Sequence, residues 1–493
     1  MKSSQAVPKD YLNSSAGVAK IALGRYKAKV QPSRGTVFFN PGGPGGSGKT
    51  WITQVNPYRL AELVGEEYDI VGFDPRGVGE TEPKTTCFDV PYTDWARNTM
   101  LERGYDVPFN TSVDELRSAL LLQEAEVDEM MRTKFAVCKE AMGDDPRYMG
   151  TTTVVRDINF MAKALDGPGA LINYYGFSYG SIIGMYLVNM LPSKVGRIII
   201  DGIEDATLWT SKPPHTWHRQ WFEHTDQNYD MFFTECVKAG PTRCALVNNE
   251  QDTPSTIKSR LEDFINGLHY RPLSVPHAKV PGLLTTGRAQ RFLLFSLYAP
   301  AQWPFSATAF AHAMQGDGTL LLNANEPTVD RSSSRTAVTC NDQASFPHAP
   351  TLEEIVDERI DVFKHVTKFA FAAGNLENDD FGCQYWDVPP PPEKFQGPWN
   401  HSLRNPILVV SNTLDPVTPL ASGLRVQELL GSSARLLVVD SPGHCSLALP
   451  SHCLKTHVNA FFANGTLPPE GTLCPVSAGP FSEGDPDRAM LDI

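Results

Sequence analysis

Gly176-Phe177-Ser178-Tyr179-Gly180 places a serine hydroxyl between two glycines, after the apolar run LINYY and before SIIGMYLVNML. A serine on a sharp strand-to-helix turn exposes its Oγ, and flanking glycines tolerate the crowding there. The bland alternative is a buried serine in such a turn. As a nucleophile, the hydroxyl needs a base to take its proton, and a carboxylate to orient that base. Later stretches supply both, in the order serine, acid, histidine. ILVVSNTLDP puts Asp415 just after one apolar run, and LLVVDSPGH puts His444 just after the next. Asp440, His452 and His457 compete nearby, but placement in a loop after its own strand favours Asp415 and His444. A third element, NPGGPGGSG (40–48), follows the run TVFFN; its glycines let backbone N–H groups approach a developing oxyanion, and Gly43 and Tyr179 are the candidate donors. The chemistry is acyl transfer through an ester on Ser178, for which no metal or cofactor is required.

The same loop carries a competing pattern. Residues 43–50 satisfy G-x-x-x-x-G-K-[ST], and YDIVGFD ends an apolar run in an Asp, as in a phosphate-binding nucleotide hydrolase. Such a loop opens a well-formed helix, whereas WITQVNPYRL is broken by Asn56-Pro57. The serine, acid and histidine would all be coincidences in that reading.

These residues need a sheet to bring them together. TVFFN, YDIVGFD, LINYYGFSYG, GRIIIDG, NPILVVSNTLDP and ARLLVVDSPGH are continuous apolar runs suited to parallel strands buried on both faces. VAKIALGRYKAKVQ (17–30) alternates like a solvated edge strand. TTTVVRDINFMAKALD (151–166) reads as a Thr-capped helix, so strand and helix alternate in an open α/β sheet. Residues 85–148 hold a polar helical insertion. Residues 205–400 lack the strand rhythm, are rich in aromatic residues and end at VPPPPEKFQGPWN. The expected organisation is a catalytic core over 1–204, a mainly helical lid over 205–400, and the rest of the core over 401–493.

The chain has 493 residues, 41% hydrophobic, with a formal net charge of -13. An acidic surface repels phosphate backbones and argues against a nucleic-acid partner. No segment approaches the roughly 18 uninterrupted apolar residues of a membrane span. Nine cysteines, without metal-ligand spacing, and sequons at Asn13, Asn110, Asn400 and Asn464 suggest a secreted glycoprotein whose leader is absent from this chain. Cys236 and Cys244, close together, favour a disulfide, and an odd count leaves at least one thiol over.

In these motifs the chain resembles the tripeptidyl aminopeptidase and proline iminopeptidase branch of the α/β hydrolases. NPGGPGGSG (40–48), GFDPRGVGET (72–81), YYGFSYGSIIG (174–184), AVTCND (337–342), CQYW (383–386), SNTLDPVTP (411–419), GHCSL (443–447) and GTLPPEGTLC (465–474) carry the resemblance over nearly the whole chain. It implies the α/β-hydrolase fold, with a mostly parallel sheet flanked by helices and a large helical lid insertion. It implies Ser178, Asp415 and His444 as the catalytic set. It also implies disulfides Cys87–Cys138, Cys236–Cys244, Cys340–Cys383 and Cys453–Cys474, leaving Cys445 as the free thiol beside the base. VPKDY (7–11) sits where the branch has its first strand, so a preceding piece is expected to be missing.

The substrate implied is a small peptide, cut to release short N-terminal peptides or single residues. An aminopeptidase binds a protonated amine, and Glu204 and Asp205 are the candidate carboxylates, with a solvated turn as their alternative reading. Trp209, Trp217, Trp221, Phe222, Tyr229, Phe232 and Phe233 form either a hydrophobic acyl pocket or the lid's own core. Three other functions stay open: an esterase, lactonase or amidase on a small apolar metabolite, a catalytically dead binding protein, and the nucleotide hydrolase. The sequence does not fix an oligomeric state.

Overall fold

The computed structural model describes residues 2–55, 57–88, 103–324, 333–346, 348–373 and 382–482. Its strands are β1 (Lys2–Pro8), β2 (Val18–Tyr26), β3 (Thr36–Asn40), β4 (Asp69–Phe73), β5 (Ile172–Phe177), β6 (Val195–Asp201), β7 (Leu273–Val275), β8 (Gly282–Leu284), β9 (Ile407–Leu414), β10 (Ala434–Pro442) and β11 (Leu473–Pro475). Nine of them form one sheet in the order β1-β2-β4-β3-β5-β6-β9-β10-β11. The pairings from β4 through β11 are parallel, while β1 and β2 are antiparallel to their neighbours. Every residue of β3 and β4 is buried. Successive side chains point to opposite faces, so Tyr174, Ile198, Ile200 and Val409 enter one core while Tyr175, Ile199, Leu408 and Val410 enter the other. That two-sided burial is why these strands read as unbroken apolar runs.

The six apolar runs each become a strand close to the expected bounds. The edge strands differ. β1 is polar and largely exposed, so no periodicity marks it, yet its backbone pairs with β2 along its whole length. β11 is three residues held on β10 and tied to the preceding helix by Cys453–Cys474. The strand expected over 17–30 ends at Tyr26.

The helix expected over 151–166 is Thr151–Asp166, but threonine does not cap it. Gly150 occupies the cap position, and the first N–H, on Thr151, donates to Asp342 Oδ1 at 2.9 Å, with the Thr151 hydroxyl on Oδ2. A carboxylate from 191 residues downstream takes the place of the local cap and meets the positive end of the helix dipole. The polar insertion contains the helix Val113–Met142.

The chain leaves the sheet after β6 and returns at β9, the adjacent strand. Between them the described residues are mainly helices, with β7 and β8 as a separate antiparallel hairpin. Trp209, Trp217, Tyr229, Phe232 and Phe233 are almost wholly buried, and Trp209 stacks on Trp217 with centroids 4.5 Å apart. Trp221 and Phe222 are also buried. The aromatic stripe is therefore core and does not line an open pocket. The four expected cysteine pairs are bonded, and Cys445 is a buried free thiol. Among the described residues no helix is long and apolar enough to cross a membrane.

Candidate active site

The serine sits at the C-terminal end of β5. Ser178 has φ 55° and ψ -124°, a left-handed region that side chains other than glycine rarely adopt. The turn is tight enough that a Cβ on Gly176 would collide with the Gly180 carbonyl. The Ser178 N–H donates to the Asp201 carbonyl at 2.9 Å, and the buried helix Tyr179–Met190 runs directly from it.

Asp415 lies just past β9 and His444 just past β10, as the sequence placed them. His444 Nδ1 is 3.0 Å from Asp415 Oδ2 and 3.1 Å from Oδ1. Asp415 is fully buried and also accepts the N–H groups of Val417 (3.0 Å), Thr418 (2.8 Å) and Cys445 (2.8 Å). Burial alone would raise its pKa, but the His444 charge, that hydrogen bond and the backbone donors hold the carboxyl below its ordinary range. Burial would lower His444, but Asp415, with Glu204 and Asp201 behind it, raises the imidazole above its ordinary value. The pair thus keeps the acid ionised and favours a charged imidazolium. Asp440 is exposed and bonds Thr413, and His452 and His457 belong to the outer helix His452–Asn464, so none of the competitors joins this group.

Other residues fix the histidine loop. Asn412 Nδ2 donates to the carbonyls of Gly443 (2.8 Å) and Cys445 (2.7 Å). Thr418 Oγ1 stands 3.2 Å from His444 Nδ1. The His444 N–H donates to the carbonyl of Tyr298, whose ring packs edge-on at 5.3 Å, so the inserted segment helps hold the histidine. Asp201 binds Ser446 through its N–H (2.9 Å) and hydroxyl, and lies 3.3 Å from the Tyr175 hydroxyl. Burial pushes the Asp201 pKa up to about 7. Its backbone carbonyl takes the Ser178 N–H while its side chain takes Ser446, so one residue joins the serine turn to the histidine loop. Sequence reasoning missed Asp201, Asn412 and Thr418. The available signal was a polar side chain within, or ending, an otherwise apolar buried strand, which must find a partner.

The Ser178 hydroxyl donates to Glu204 Oε1 at 3.3 Å, and His444 Nε2 lies 3.6 Å from Cys445 Sγ. Glu204 is 6% exposed, so the solvated-turn reading does not hold for it. Asp205 is different. It caps the helix Ala206–Ser211 through Thr207 and Leu208, and its other oxygen accepts from Gln220, which commits it to structure.

The Gly/Pro loop runs against Ser178. Gly42 has φ 102°, and a Cβ there would lie 2.7 Å from Ser178 Cβ. Gly43 and Tyr179 directly follow the two residues of this contact, Gly43 in the loop and Tyr179 as the first helical residue. Arg335 from the inserted segment donates to the Gly43 carbonyl. Asp74 anchors the loop from below by accepting Ser47 Oγ (2.6 Å), the Lys49 N–H (3.1 Å) and the Glu80 N–H (3.1 Å). Lys49 itself is buried, with its ammonium 2.5 Å from Glu80, so its charge is already paired with a carboxylate. Contrary to the break expected at Asn56-Pro57, the loop opens a helical run: a short α-helix over Gly48–Thr50 passes into a π-helix over Trp51–Val55, and a further α-helix follows over Pro57–Val64.

Comparison with known proteins agrees with the fold. Residues 35–243 match a family described as alpha/beta hydrolase fold, and residues 369–474 match one described as TAP-like protein. Serine protease Hip1 of Mycobacterium tuberculosis is 28% identical over 491 residues, covering 95% of this chain and 86% of that protein. Tripeptidyl aminopeptidase of Streptomyces lividans is 23% identical, covering 96% and 83%. Carboxylesterase B of Mycobacterium tuberculosis is 26% identical, covering 95% and 85%.

Proposed function

From the premise that this chain belongs to the α/β hydrolases and carries a TAP-like C-terminal region, we propose that it is a serine aminopeptidase working through an acyl-enzyme on Ser178. One observation carries the assignment: a positive-φ serine ends one strand while a buried Asp415 grips His444 Nδ1 at 3.0 Å at the ends of two others. His444 Nε2 takes the Ser178 proton as Oγ attacks the carbonyl, and Asp415 stabilises the imidazolium that forms. The hydroxyl leaves Glu204 for Nε2 when substrate arrives, since catalytic hydrogen bonds often tighten only in the complex. The N–H groups of Gly43 and Tyr179 receive the oxyanion. His444 then protonates the leaving amine, and the same imidazole activates water to release the acyl group.

In this reading the segment 205–400 acts as a lid, supported by its contacts from Tyr298 and Arg335 to the histidine and glycine loops. Glu204 receives the substrate ammonium, and its position beside the nucleophile supports that role. Four disulfides and exposed asparagines at 13, 110, 400 and 464 support a secreted, glycosylated enzyme. The carboxylesterase relative supports a second reading, an esterase on a small acyl group using the same residues. Aminoacyl and peptidyl anilides, assayed beside short-chain aryl esters, separate the two. Anilide hydrolysis that Ser178→Ala lowers by several orders of magnitude is expected; hydrolysis of esters alone would leave the esterase.

A further inference from the structure

The distance between Glu204 and Ser178 bears on how many residues an aminopeptidase can remove. This rests on the aminopeptidase reading above. Ser178 Oγ and Glu204 Oε1 are 3.3 Å apart. In any peptide the amine nitrogen and carbonyl carbon of one residue are separated by about 2.5 Å, from the standard bond lengths and angle. A carbonyl poised for attack lies about 3–3.5 Å from the attacking oxygen. The free ammonium of the attacked residue itself therefore falls within about 3–6 Å of Oγ, where a carboxylate 3.3 Å from that oxygen meets it directly. Each further residue carries the ammonium up to about 3.5 Å away, so the terminus of a tripeptidyl group lies roughly 7 Å beyond this reach.

Glu204 has little freedom to follow a more distant amine. Its residue is 6% exposed, and its N–H is fixed to Ser181 Oγ at 2.9 Å, inside the turn that holds the nucleophile. Asp205, the adjacent carboxylate, already caps a helix. The Gly42 peptide, beside the proposed oxyanion donor Gly43, packs on Ser178. The ammonium and the oxyanion are thus received by separate groups, the Glu204 carboxylate and the backbone N–H pair, which suits a substrate whose charged terminus and scissile bond belong to the same residue.

We infer that Glu204 is a specificity-determining residue, and that the enzyme releases single N-terminal residues with a free ammonium in preference to di- or tripeptides. The test uses the intact protein and p-nitroanilides of one amino acid with one, two and three residues, plus the N-acetyl form of the shortest. Wild type is expected to give the highest kcat/KM on the one-residue free amine, on the order of 10²-fold above its N-acetyl form. In Glu204→Gln, an isosteric change, that free-amine to N-acetyl ratio collapses toward one, through KM more than kcat. A higher kcat/KM on the tripeptidyl anilide overturns the inference while leaving the peptidase reading intact. So does an unchanged ratio in the variant. Hydrolysis of no anilide of any length removes the peptidase reading itself, and the inference with it.

Discussion

Asp201 offers a sharp quantitative test, because its charge works against the fold while its hydrogen bonds support it. The carboxyl is fully buried and titrates near 7, against an ordinary value of 3.8, chiefly through burial. Around it stand Tyr175, Ser446, Cys445, Asp415 and His444. The folded carboxyl holds its proton more tightly than the unfolded one. Its contribution is whole below pH 3.8 and is lost as pH rises through about 7. At 1.36 kcal/mol per pH unit, the loss is about 4 kcal/mol. Asp201→Asn keeps the shape and an acceptor for the Ser446 N–H but cannot ionise. The variant's stability relative to wild type should therefore climb between pH 5 and pH 8 by a few kcal/mol, read as a widening Tm difference. A second readout comes from His444, whose pKa the Asp201 charge helps raise; the acid limb of kcat/KM should move to lower pH in the variant. A Tm difference that stays flat from pH 5 to 8 would refute the reasoning.

Other perturbations report on separate parts of the structure. Burial pushes the Cys445 thiol well above its ordinary range, so a thiol reagent at pH 8 should titrate no cysteine in the native protein and one after denaturation without reductant; rapid native labelling would contradict this. Arg76 is fully buried and forked on Asp157 by two 2.8 Å hydrogen bonds, with the Pro8 carbonyl also in reach. Asp157→Ala strands that guanidinium and should cost about 3–5 kcal/mol; a Tm within a degree of wild type would mean the pair is not buried as described. Because Lys49 is buried and paired with Glu80, the enzyme should release no phosphate from ATP above background; turnover that Lys49→Ala abolishes would restore the nucleotide reading.

The central parallel strands were legible because burial on both faces writes them as unbroken apolar runs, and each catalytic candidate stands directly after one. Residues 172–177 and 407–414 show this best: Ser178 and Asp415 are simply the next residues. β1 was not legible, since a polar edge strand is specified by its partner's backbone and not by its own pattern. Asp342 was seen only as part of a motif. Its work as a remote helix cap joins residues 191 apart, and no local propensity encodes that. The aromatic stripe was legible as apolar but not as core or pocket, because burial depends on which helices pack across it. Glu204 shows the same limit. Chain position placed it near the site, while its 3.3 Å approach to Oγ is a tertiary fact.

The most direct test of the central claim is active-site labelling with a fluorophosphonate, followed by peptide mass spectrometry. One adduct is expected, on Ser178, which disappears in Ser178→Ala and forms far more slowly in His444→Ala. Active enzyme that carries no adduct, or carries it on another residue, would contradict the assignment of the nucleophile.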